Sequence, residues 1–286
     1  PRLDVLAVLD ARTGERLAEL RMDAGPRAVA LDRTGRRALV ACERGGSVVS
    51  IDTASLEVVG RATGLARPCG IVASPDAPEV YVALGGGAAV LVLSTETLEP
   101  LARIAVDAEP RGLAVSPDGE TLCATHFYTG RVSPIDLRAR VAGPSIPTGP
   151  GSNFAGFAAF DPAGRYLWVP HVRSNTTNVH RLFDTTIFPL VSIVDVEGGR
   201  EIRERRIGLD AVDRPVSMPS ALAFDPSGRH AYVVHSSSDD LTVLDTRSGL
   251  GVGHAPVGHE PRGIVLSGAG RRAWVANAVS DDVTVL

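Results

Sequence analysis

The sequence predicts an all-β chain folded as a single β-propeller of four-stranded blades, with seven blades favoured and six as the alternative. Two observations carry that reading. First, one stretch recurs: "PRAVALDRTGRRALVAC" from Pro26, "PCGIVASPDAPEVYVAL" from Pro68 and "PRGLAVSPDGETLCATH" from Pro110 begin 42 residues apart. "FAAFDPAGRYLWVPH" from Phe157 follows, then "PSALAFDPSGRHAYVVH" from Pro219 and, again 42 residues on, "PRGIVLSGAGRRAWVAN" from Pro261. Second, each copy runs on into an alternating segment that usually closes in Asp ("SVVSID", "RVSPID", "LVSIVD", "LTVLD"), then a turn and a short last segment such as "EVVGRAT".

Each unit thus holds four strands, A to D, whose alternation has the period of a half-buried strand. "SPDG" and "DPSG" make the A–B turn, where proline presets φ and glycine accepts a positive one. Four strands in about 40–45 residues is the size of a propeller blade, and packing blades side by side covers both faces of sheets that could not be covered alone. No helical period and no linker interrupts the pattern, so residues 1–286 read as one domain. Residues 3–22 supply a C and a D strand before the first A–B pair, and 282–286 supply a C strand after the last. Seven blades follow if the strands missing from these two units lie beyond the chain's ends. Six follow if residues 3–22 close the last blade. The opening Pro1 and the close inside the strand-like "DDVTVL" read as cut ends, with a signal peptide already removed.

A net charge of −4 with 44% apolar residues gives no reason to expect nucleic acid or an acidic membrane as partner. No apolar run approaches the roughly 20 residues that cross a bilayer. The three cysteines form no C-x-x-C or C-x-x-C-H, so they read as free thiols and the chain should carry no haem of its own. No nucleophile elbow, zinc-protease or phosphate-loop motif is present.

The "SPDG" turn, the "YVAL", "YVVH" and "WVAN" ends of strand B and the "SID"/"TVLD" strand resemble the YVTN-repeat β-propeller family over nearly the whole chain. The irregular "RSNTTNVHRLFDTTIFPLVSIVD" is similar to a subgroup whose members sit beside a di-haem cytochrome c peroxidase-like domain. That resemblance implies an extracytoplasmic protein, periplasmic or secreted, with such a domain as the partner to expect.

Because strands alternate in direction, B–C and D–A loops share one end of the blades and A–B and C–D turns share the other. Measured against the repeat, the D–A loop before Gly164 gains 3 residues, the following B–C loop 14 and the next D–A loop eight. All fall at one end, which is therefore read as the functional face. The B–C insertion is placed at 172–190. Its Leu182, Phe183, Ile187 and Phe188 are expected to tuck against the propeller or a partner, with Pro189 opening the next strand.

Single slots also align. The last residue of strand B is His126, His171 and His235 in three successive blades, and Asn277 in the last. Histidine there can cap a loop as asparagine would. Alternatively His126 and His171, joined by His180 from the insertion, could hold a transition metal. The slot after the proline carries Arg27, Arg111 and Arg262, which could bind an anion bidentately or pair with loop acids such as Asp239, Asp240, Asp281 and Asp282. Phe157 occupies a slot that is otherwise Ala or Gly and is expected to narrow the central channel. Asn175 opens a glycosylation sequon. A binding propeller that docks a protein or takes an anionic ligand is the favoured function, and a metal-dependent oxidoreductase or hydrolase using the His row is the alternative.

Overall fold

The computed structural model of the chain describes residues 4–174, 187–209 and 216–286. Among them strands dominate, and the helical content is one 3₁₀ turn at Arg203–Arg205. By internal packing the chain divides into two compact units: Pro1–Leu113 with Leu137–Ala142, and Ala114–Asp136 with Gly143–Leu286.

Six sheets carry an A–B pair. Blade 1 runs Pro26–Leu31, Arg37–Cys42, Ser47–Asp52 and Val58–Ala62, and blade 2 Pro68–Ala73, Glu79–Leu84, Ala89–Ser94 and Pro100–Ala105. Blade 3 comprises Pro110–Val115, Thr121–His126, Val132–Asp136 and the two-residue Val141–Ala142. Blade 5 is Pro219–Phe224, His230–His235, Asp240–Asp245 and Gly251–Pro256, and blade 6 has three strands, Pro261–Leu266, Ala273–Asn277 and Asp282–Val285. Every neighbouring pair with a resolved register is antiparallel. Val5–Leu9 and Arg16–Arg21 form a two-stranded sheet of their own.

Two backbone devices repeat at the start of strand A. The residue before it has positive φ in five blades, at Gly25, Arg67, Glu109, Met218 and Glu260, and Phe154, in the matching slot of blade 4, has positive φ as well. Five precede a proline, where this conformation is disfavoured. The turn holds because the carbonyl of this residue accepts the backbone N–H that follows strand B: Glu43 to Gly25 at 2.8 Å, Gly85 to Arg67 at 3.0 Å, Ser236 to Met218 and Ala278 to Glu260, both at 2.9 Å. Proline then opens the strand at no cost in ladder bonds. One residue on, the register slips at Arg27, Cys69, Ser220 and Arg262, each a β-bulge that re-aims its side chain. The Cys69 thiol and Ser220 hydroxyl use that aim to donate to the carbonyl of the next blade's opening proline, Pro110 at 3.1 Å and Pro261 at 2.7 Å.

The C–D turn has its own lock. Asp52 accepts the N–H of Ala54 and Ser55, Asp10 those of Arg12 and Thr13, and Asp245 that of Ser248. These backbone donors hold all three carboxyls below their ordinary pKa. This explains why strand C so often closes in Asp.

Blade 4 departs from the pattern. Its B and C strands lengthen to Leu167–Ser174 and Ile187–Asp195, and its A and D positions split into Ser152–Asn153 with Ala159–Phe160, and Arg200–Glu201 with Ile207–Gly208. The expected 172–190 loop is therefore shorter. Residues 172–174 and 187–189 add three ladder pairs, Val172–Pro189, Arg173–Phe188 and Ser174–Ile187, about 10 Å of extra hairpin. Pro189 stands inside the strand rather than at its start, and its carbonyl accepts the Leu209 N–H at 3.0 Å. Ser152–Asn153 pairs with Arg173 and Val172 on the other edge. The core of this unit centres on Trp168, edge-on to Phe224 with ring centroids 5.2 Å apart.

A Cβ at Gly70 would overlap the Arg111 carbonyl oxygen, whereas one at Gly263, the matching position of blade 6, would meet nothing within 4 Å. Gly70→Ala should cost about 1–3 kcal/mol by overpacking. Gly263→Ala should be neutral or gain about 0.4–1 kcal/mol through a stiffer unfolded chain. Urea denaturation of the two variants measures the contrast.

Candidate functional site

Each arginine of the row stands beside a glutamate. In the first unit, Arg27 and Arg67 both pair with Glu43 at 3.1 Å, Arg67 also reaches Glu109 at 3.2 Å, and Arg111 stands 3.9 Å from Glu43. Arg262, in the second unit, pairs with Glu260. These contacts are made with glutamates on the D–A and B–C loops. Arg67 and Glu109 hold the same slot in successive blades, 42 residues apart, a spacing that could have flagged their contact.

The histidine row lies inside the sheets. His126, His171 and His235 are each fully buried, and Nε2 of each meets a strand C hydroxyl: Ser133 at 2.8 Å, Ser192 at 2.8 Å and Thr242 at 3.0 Å. Asn277 makes the same contact in blade 6, its amide donating to Thr284 Oγ1 at 2.9 Å. Histidine therefore does the work of asparagine, tying the end of strand B to strand C. Among the described residues, no group of three or more His, Cys, Asp or Glu is arranged to hold a metal. His180 and Asn175 lie outside the described residues, as do Leu182 and Phe183. Cys42, Cys69 and Cys123 are free and buried, and burial pushes their thiols up.

In blade 4 the polar tie extends across the sheet. Ser192 Oγ is 2.5 Å from Glu201 Oε1 on strand D, and Arg206 braces Glu201 with Nε at 2.9 Å and Nη2 at 2.5 Å. Arg206 also donates to the Thr148 carbonyl at 3.0 Å. Beside this chain a cavity of about 250 Å³ opens, lined by Arg173, Phe188, Leu190 and Arg206. Sequence reasoning missed both arginines, although Arg173 follows His171 by two positions and so shares its strand face.

Aromatic side chains collect on the loops at the same end of the second unit. Phe127 meets Tyr128 and Phe154 edge-on, at 5.2 and 5.1 Å between centroids, and Tyr128 is 62% exposed. Phe157 packs against both the Trp168 cluster and the cluster of Ala221, Val234, Leu241 and Val275.

No family model matches the sequence, and no curated protein matches it. Among solved structures, the chain is similar to a chain of the Kuenenia stuttgartiensis hydrazine synthase structure, with a TM-score of 0.90 and 24% identity over 99% of this chain and 89% of that one. The fold is a β-propeller. At this identity the likeness speaks for the propeller's architecture alone.

Burial pushes His171 down to about 4, with the nearby Glu201 opposing and Arg206 and Arg173 reinforcing the shift. Burial, then the neighbouring His254, pushes His235 to about 3. Both folded values lie below the ordinary 6.5, so folding favours the neutral ring. Their contribution is complete above pH 6.5 and is lost as the pH falls through about 4. Replacing His171 or His235 by Asn should preserve the fold and flatten the loss of stability across that window. His171→Ala, which empties a fully buried ring site and removes the Nε2 contact to Ser192 Oγ while leaving the Ser192–Glu201 bond, should cost about 1–3 kcal/mol at neutral pH. Urea midpoints as a function of pH measure both effects.

Proposed function

We propose that the chain is a binding module, a propeller that docks a protein partner through the B–C and D–A loop end of its second unit. The lengthened hairpin of blade 4 carries this reading. Its Ile187 and Phe188, expected to tuck against the propeller or a partner, stand 55% and 40% exposed at the end of an extended ladder. Side chains on a strand pair are held more rigidly than on a loop, and exposed apolar groups so held suit a docking surface. Tyr128, braced by Phe127, adds an aromatic anchor of the kind that dominates interface energies.

The partner class to test first is a di-haem cytochrome c peroxidase-like domain, which the sequence resemblance implies and which would place the chain outside the cytoplasm. Calorimetric titration of the purified chain with a purified di-haem domain tests this. Ile187→Asp should weaken binding about tenfold or more. Leu250→Asp, on the C–D turn at the other end of blade 5 and 66% exposed, should leave it unchanged. Equal effects, or no binding at all, would refute the assignment.

A further inference from the structure

The geometry points to a binding site for a small monocarboxylate with an apolar body, in the cavity beside the blade 4 hairpin. This site is separate from the Arg27, Arg111 and Arg262 row, and it does not rest on the docking of a protein. Arg173 and Phe188 face each other directly across the ladder. Leu190 lies two residues beyond Phe188 and so shares its face of the strand. Arg206 completes the lining around a volume of about 250 Å³, enough for a small organic acid and below the usual size of drug-like pockets.

The two cations play different parts. Arg206 is committed: Glu201 accepts from its Nε and Nη2, and the Thr148 carbonyl accepts from Nη2 as well. Glu201 is in turn fixed by Ser192, itself held by His171, so this guanidinium is braced from beneath. The Arg173 guanidinium makes no hydrogen bond or ion pair with any described residue, and the residue is only partly exposed. Two guanidiniums against one carboxylate leave one positive charge in excess, which suits a monoanion better than a dianion such as phosphate. A carboxylate matches the donor fork of Arg173 in plane and spacing. Phe188 and Leu190 then offer apolar contact to the body of the acid, which an inorganic anion could not use.

Titration of the purified chain with benzoate, with its neutral isostere benzamide and with inorganic phosphate, followed by calorimetry, tests the site. Benzoate should bind saturably, with benzamide and phosphate each about tenfold weaker or more. Arg173→Gln should weaken benzoate by a similar factor without moving the melting temperature, and Arg173→Lys should recover part of the loss. Phe188→Ala should narrow the preference for benzoate over acetate. Equal binding of benzoate and benzamide, tighter binding of phosphate, or benzoate affinity unchanged in Arg173→Gln would overturn the proposal, as would failure of both benzoate and hexanoate to bind. The comparison of probes on the unaltered chain decides the matter even where a variant folds poorly. Phe188 belongs to both surfaces, but Ile187 does not line the cavity and Arg173 is not part of the docking surface, so Ile187→Asp and Arg173→Gln separate the two proposals.

Discussion

The opening strands of blades 2 and 3 approach so closely that a methyl group on Gly70 would overlap the Arg111 carbonyl. That approach sets the terms for the strand A region around it. A small residue must sit at the point of contact, and a bulge just before it must turn the preceding side chain elsewhere. The chain must also enter strand A through a left-handed residue, whose strain is tolerated because its carbonyl catches the N–H leaving strand B. The bulged side chain then serves one of two ends. Where it is short, at Cys69 and Ser220, it bonds to the next blade's opening carbonyl. Where it is arginine, it reaches the loops and pairs with glutamate.

The three insertions around blade 4 form a set once the hairpin is seen to be longer. An extended hairpin exposes the backbone of both outer edges, which invites unwanted strand pairing. The lengthened loop before it supplies Ser152–Asn153 to one edge, and the lengthened segment after it brings Leu209 to the other. The extra residues at the two D–A positions thus flank the extra residues at the B–C position. Among the described residues, the exposed parts of this hairpin are Phe188 on the face it shares with Arg173 and Ile187 at its end, the parts assigned to binding.

The fold was legible because its signals are local and repeated: the opening proline and the alternation of each strand recur every 42 residues at Pro26, Pro68 and Pro110, and the A–B turn glycine and the Asp closing strand C recur in the first and third of these copies. The histidine slot was legible as a position, and its structural role followed from Asn277 in the same place. The arginine partners were not legible, because the bulge decides where Arg27 points and Glu43 belongs to a different loop. Nor was the length of the blade 4 hairpin. "VRS" and "IFP" carry too few residues to show a period, and prolines ordinarily argue against a strand interior, yet Pro189 pairs with Val172 there. The cavity escaped for a related reason: Arg173 and Arg206 are far apart in sequence and meet only through the order of strands B, C and D.

The central claim is that binding belongs to one end of the second unit, centred on the blade 4 hairpin. Hydrogen–deuterium exchange of the chain, alone and saturated with a purified di-haem cytochrome c peroxidase-like domain, tests it most directly. Added protection should concentrate in 167–174 and 187–195 and in the loop carrying Phe127 and Tyr128, with the A–B and C–D turns of the same blades unchanged. Protection confined to the turns at Asp161–Gly164 and Asp245–Gly249 would contradict the account.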